Sequence, residues 1–140
     1  MTALVAVQTA RRAAAQEAMQ AAGRREQSAR TASEQAADRS RIAQEEWLGL
    51  VSSAGFSPEY SRVLADRLIE SEGEADLTSL RVRSAAELHE HRKAEWQQLE
   101  AQGRSSAESL KRLRRRIQRR HEEKRLGSLA DMITFAGTRS

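Results

Sequence analysis

The chain has 140 residues, carries a net charge of +4 at pH 7, and has a pI near 10.3. Alanine supplies 24 of its hydrophobic residues, whereas Leu, Ile, Val and Phe together make up about 17% of the chain, which is low for a packed globular domain. Ala, Glu, Lys, Leu and Arg account for 55% of the residues, a composition typical of long helices and coiled coils. A compact enzyme core is therefore not expected.

Several classes of site are also not expected. The sequence has no cysteine, and its longest apolar run, residues 3–7, is too short for a membrane span or a signal peptide. His89 and His91 would point to opposite sides of a helix, and His121 is far from both in sequence, so they do not indicate a metal site. No phosphate-binding loop, nucleophile elbow or HExxH motif occurs. We expect a soluble cytoplasmic protein without catalytic, cofactor-binding or metal-binding residues.

Residues 3–48 contain a single glycine and no proline, which predicts one long helix. Small residues recur at helical spacing and would form a stripe that a second helix can approach closely. The predicted stripe comprises Ala14, Ala18, Ala21, Ala29, Ala32 and Ala36, and ends with Ile42 and Trp47. Because long helices are stabilised mainly by packing, this helix needs a partner.

The middle of the chain predicts a short, separate helix. Ser57 is a candidate N-cap and Pro58 suits the first helical position, while Gly73 ends the pattern. We therefore expect a head helix over about 57–72. This region is acidic, with a net charge of −4 over residues 49–79.

A second long helix is predicted over about residues 80–126, followed by an apolar tail over 127–140. Leu88, Leu99 and Leu110 are spaced by eleven residues, which indicates a nearly straight stripe. Gly127 is expected to interrupt the helix. Residues 80–140 carry a net charge of +7, so the chain is electrically polarised along its sequence.

The simplest arrangement is an all-α single coiled-coil domain over 1–140, an antiparallel hairpin of two long helices of similar length with the head helix near the turn. Trp47 and Trp96 would then form an aromatic anchor near Tyr60. A parallel homodimeric coiled coil is the alternative arrangement.

The strongest functional signal is a basic run in the second helix, in which nine of fifteen residues are Lys or Arg. Such a run indicates contact with an acidic protein surface or with phosphates, or else a merely solvated face. No aromatic residue lies between Trp96 and Phe135 to stack on a base, so a protein partner is favoured over nucleic acid. The candidate partner-binding residues of the run are Lys111, Arg112, Arg114, Arg115, Arg116, Arg119, Arg120, Lys124 and Arg125.

The tail concentrates large apolar side chains in a chain that otherwise has few. Leu129, Met132 and Phe135 are its candidate partner-binding residues. Two alternatives are open: these side chains fold back on the apolar residues near the N-terminus, or they dock on a partner.

The layout of the sequence resembles the flagellar FliJ proteins and their type III secretion relatives. The resemblance rests on the alanine- and arginine-rich first helix, the short middle helix, and the pattern R-x3-W-x2-L from Arg92 through Trp96 to Leu99. The stretch Arg119–Arg125, followed by Leu129–Ile133, also resembles the C-terminal end of that family.

This resemblance implies a fold like the coiled-coil stalk of a rotary ATPase. It further implies a component of the flagellar export apparatus that contacts the hexameric export ATPase and the export-gate membrane protein, at the cytoplasmic face of the inner membrane. Export substrates or chaperones are further implied partners, without insertion into the membrane. The alternatives are a basic coiled-coil protein bound to nucleic acid or ribosomes, and a homo-oligomeric scaffold.

Overall fold

A computed structural model describes residues 2–53, 55 and 57–138, and the described chain is helical except near the turn. Helix α1 spans Thr2–Ser52 and helix α2 spans Pro58–Thr138. No strand occurs in these ranges, so the all-α prediction is confirmed. No described helix is long and apolar enough to cross a membrane.

Packing divides the chain into two compact units, Met1–Gln97 and Gln98–Ser140, and α2 contributes to both. In the first unit, α1 and the first part of α2 form a two-helix hairpin. Arg39 contacts Glu74, whereas Glu26, earlier on α1, contacts His89, later on α2, so the helices run antiparallel. The predicted antiparallel hairpin is confirmed, and the pairing is between two segments of one chain.

The start of α2 agrees with the sequence prediction. The backbone N–H of Tyr60 donates to Ser57 Oγ at 3.5 Å, and the N–H of Ser61 donates to the Ser57 carbonyl at 2.9 Å. Pro58 occupies the first helical position, where a missing N–H costs no helical hydrogen bond.

The separate head helix over 57–72 and the end of the second helix at 126 were both wrong predictions. Helix α2 runs without a break through Gly73 and Gly127, so the two long helices have unequal lengths of 51 and 81 residues. A single glycine costs a helix only about 1 kcal/mol relative to alanine. That cost does not end a helix when strong helix formers flank the glycine on both sides.

The seam between α1 and α2 follows a heptad spacing. On α1 its buried members are Ala22, Ala36, Ser40, Ala43 and Leu50, separated by steps of three, four or seven residues or their sums. This spacing is that of a coiled coil. All of these residues except Leu50 are small, so along most of the seam the two helices can approach towards the lower end of the usual interaxial distance of about 8–10 Å.

The predicted alanine stripe is therefore only partly correct. Ala36 is 1% exposed, but Ala32 is exposed and Ile42 is 47% exposed. On α2, Leu64 and Thr78 are buried, whereas Leu88 is exposed and its neighbour His89 lies half-buried. Heptad geometry places small and polar residues in the seam beside Leu50 and Leu64, and it leaves several other large apolar residues outside it.

The predicted aromatic anchor was also wrong. Glu26 pairs with His89, and Trp96 lies seven residues further along α2, away from the turn. Trp47 lies on the turn side of Arg39. The two tryptophans therefore lie at different levels of the hairpin, with only Trp47 near the turn, and Tyr60 is 56% exposed.

Candidate functional site

The nine predicted basic residues all lie on α2 within the second unit, and all are exposed. We call residues 111–125 the basic segment. Every residue from 111 to 137 is exposed. All side chains of this stretch are therefore accessible to a partner.

The charges of the basic segment are not neutralised by side chains of the described chain. Seven ion pairs occur among the described residues, and all of them lie between Glu26 and Glu95. Glu122 and Glu123 lie inside the basic segment but form none of these pairs. The cationic groups are thus exposed and unpaired, which leaves them available to an external anion.

A narrow apolar line runs through the charges. Leu113 and Ile117 are four residues apart, which places them on the same side of the helix, and each is 49% exposed. Basic side chains surround them over most of the helix circumference. A partner helix could cover this line with apolar side chains while acidic groups at its edges meet the arginines.

The apolar tail is helical and exposed. Leu129, Met132 and Phe135 have exposed fractions of 53%, 67% and 61%. Ile117 and Phe135 are eighteen residues apart, which is five turns of an α-helix, so both lie on one side of α2. A shallow depression of about 310 Å³ is lined by His121, Lys124, Arg125, Ser128, Leu129 and Met132. Docking of these residues on a partner stays a prediction.

A polar cluster in the hairpin seam was not found by sequence analysis. His89 Nδ1 donates to Glu26 Oε2 at 2.6 Å, and Arg30 donates to Glu26 Oε1 at 2.8 Å. Two hydrogen bonds lower the pKa of Glu26 below its ordinary value, and the one from Arg30 has the larger effect, followed by the one from His89. This cluster joins α1 to α2, and the only sequence signal for it was the single glycine at position 23.

The histidines and carboxylates do not gather into a metal site anywhere in the described part of the chain. His89 pairs with Glu26, and His91 pairs with Glu95 at 3.0 Å on its own helix.

The basic segment is therefore the candidate site that combines exposure, unpaired charge and an apolar line. Comparison with protein-family models, curated proteins and solved structures finds no match for this chain.

Proposed function

We propose that this protein is a non-enzymatic helical-hairpin adaptor of a bacterial flagellar or related type III export apparatus, and that its basic segment binds the export ATPase. The observation that carries the proposal is the set of nine exposed Lys and Arg side chains without an ion pair in the described chain. The resemblance of the sequence to the FliJ proteins supplies the identity of the partner.

The arginine content of the segment supports a protein partner. Seven of the nine cations are arginines, whose planar guanidinium groups bind carboxylates through two parallel hydrogen bonds. Each exposed pair contributes roughly 0–1 kcal/mol, so affinity must come from several pairs together. Long-range attraction would also accelerate encounter with an acidic surface, and salt would weaken it.

The hairpin supports a role as a shaft. Its seam contains mostly small residues, which permits a narrow pair of helices, a form suited to a restricted space such as the centre of an ATPase ring. The exposed tail residues Leu129, Met132 and Phe135 would contact a second component, which we propose is the export gate. We place the protein in the cytoplasm, peripheral to the inner membrane.

The proposal is tested by measuring binding of the purified protein to the export ATPase of the same organism at low and high ionic strength. The variant replaces Arg114, Arg115, Arg116, Arg119 and Arg120 with Gln. A matched control replaces five exposed arginines of the hairpin that lie outside every ion pair, namely Arg11, Arg24, Arg25, Arg62 and Arg83.

We expect the segment variant to bind roughly tenfold more weakly or worse and to lose most of its salt dependence, while the control binds like the parent. Equal weakening by both variants would mean that only net charge matters. If the parent binds RNA or DNA and not the ATPase, the alternative of a nucleic-acid-associated protein replaces this proposal.

A further inference from the structure

The outer side of α2 in the hairpin unit carries large apolar side chains that the seam does not use. Ile69 and Leu80 are eleven residues apart, as are Leu77 and Leu88, and this spacing of about three turns keeps each pair on one face. Their exposed fractions range from 37% to 69%. In a chain with few large apolar residues, this face is a candidate surface for another helix.

Acidic side chains accompany that face. Asp66, Glu70 and Asp76 are exposed, and none of them forms an ion pair within the described residues. The neighbouring Glu74 differs, because it turns towards α1 and pairs with Arg39 at 2.7 Å. We call residues 66–80 of α2 the acidic outer face.

The basic segment has the opposite charge and a comparable apolar pattern. Leu113 and Ile117 are flanked by arginines, as Leu77 and Leu80 are accompanied by carboxylates. Both stretches are fifteen residues long, or about 22 Å of helix. The two surfaces are therefore similar in apolar pattern and opposite in charge.

We propose that the basic segment of one molecule docks on the acidic outer face of a second copy of this chain. Apolar side chains would meet along the centre of the contact, and arginine–carboxylate pairs would form at its edges. A second copy is favoured because the chain itself supplies both complementary surfaces. Asp66, Glu70 and Asp76 on the one, and all nine cations of the other, form no ion pair in the described chain. The contact joins two different surfaces. If two molecules make it reciprocally, a closed dimer results, and if they do not, each added molecule leaves a free surface for another copy.

The test measures the mass of the purified, nuclease-treated full chain by sedimentation as a function of concentration and salt, with no ATPase present. One variant reverses the acidic face through Asp66→Lys, Glu70→Lys and Asp76→Lys. A second reverses the segment through Arg115→Glu, Arg116→Glu and Arg119→Glu. A control reverses three exposed acids elsewhere that form no ion pair, through Glu17→Lys, Glu34→Lys and Glu90→Lys.

We expect the parent and the control to self-associate at low salt and to dissociate at high salt. Each reversed variant alone should associate at least tenfold more weakly than the parent. The reversed acidic face becomes positive like the basic segment, and the reversed segment keeps almost no net charge, with six basic against five acidic residues. An equimolar mixture of the two reversed variants should associate again, since each provides the charge that the other lacks. Circular dichroism checks that the variants keep their helix content.

A parent that is monomeric at every salt concentration would overturn the proposal, as would reversed variants that associate like the parent. A mixture that stays monomeric, or an association that disappears with nuclease treatment, would do the same. Because the assay contains only this chain, its result is independent of whether the basic segment also binds the export ATPase.

Discussion

His89 of α2 lies against Gly23 of α1, where a Cβ atom at position 23 would be 3.3 Å from His89 Nε2. That distance is tighter than ordinary van der Waals contact, so the imidazole occupies space that any other residue would fill in part. The same imidazole binds Glu26 one turn further along α1. Gly23 thus provides the notch in which the interhelical hydrogen bond is made.

The first prediction compares two glycines. Gly73→Ala should raise the stability of the hairpin by roughly 1 kcal/mol, because no neighbour lies within 4 Å and alanine is the better helix former. Gly23→Ala should gain clearly less, because the new methyl group displaces His89. Thermal unfolding followed by circular dichroism measures both. In the His89→Ala background Gly23→Ala should recover the full gain, and an unchanged difference there would contradict this explanation.

The second prediction concerns the loss of hairpin stability at acidic pH. Hydrogen bonds from Arg30 and His89 lower the pKa of Glu26 from its ordinary value of 4.5, so this carboxylate stabilises the hairpin above that pH. The contribution should fade as the pH drops from about 4.5 through the lower folded-state pKa. Glu26→Gln should reduce stability at neutral pH and show a shallower loss in acid. Glu34→Gln, at an exposed position without an ion pair, serves as the control and should follow the parent.

The class of fold was predictable because long runs of strong helix formers, with one proline at a turn, admit few other structures. A helix start at Pro58 was predicted correctly because capping chemistry is local, although the helix that begins there was expected to end at about residue 72. The seam was misplaced because the prediction followed only apolar residues, the alanines of α1 and the leucines of α2, and expected no polar residue between the helices. Ser40 and Thr78 are buried in the seam, while Ala32 and Leu88 are exposed.

The predicted helix ends at Gly73 and Gly127 were wrong for a related reason. Glycine lowers helix stability locally, but whether a helix ends depends on the balance over several turns on both sides. The charge and the exposure of the basic segment were easier to predict. Charge density can be read directly from the sequence, and a charged segment is exposed when no other segment covers it. The contact of His89 with Gly23 can be predicted only when the register between the two helices is known.

The third prediction tests the seam. Ala36 is 1% exposed, so Ala36→Leu should force the helices apart and destabilise the hairpin by about 1–3 kcal/mol. Ala32→Leu adds the same side chain at an exposed position and should change stability by less than about 0.5 kcal/mol. Chemical denaturation measures the two differences. Equal effects would show that residue 36 does not lie in the helix–helix contact.

The fourth prediction concerns the N-cap of α2. Ser57→Ala removes the hydroxyl that accepts a hydrogen bond from the Tyr60 N–H, and should cost about 1 kcal/mol of stability. Ser79→Ala, in the exposed interior of α2, should be neutral or slightly stabilising because alanine has the higher helix propensity. Urea denaturation of both variants measures the difference. A Ser57→Ala protein as stable as the parent would exclude a capping role.

The fifth prediction links the stability of the basic segment to its function. No residue from 111 to 125 is buried, so this part of α2 is held mainly by helix propensity while its nine like charges repel one another. Amide exchange should therefore be faster here than in the hairpin around Ala36 and Leu64, which are buried.

Salt screens repulsion between exposed charges, so exchange in the basic segment should slow as ionic strength rises while the hairpin changes little. Binding of an acidic partner replaces that screening with specific pairs and should slow exchange over the same residues at low salt. Deuterium incorporation measured by mass spectrometry on peptides from residues 111–125 provides both readouts.

Replacing Arg114, Arg115, Arg116, Arg119 and Arg120 with Gln should slow exchange at low salt in the absence of a partner, because it relieves the repulsion. Faster exchange in that variant would show instead that the arginines stabilise the helix in the absence of a partner, which would contradict the expected repulsion.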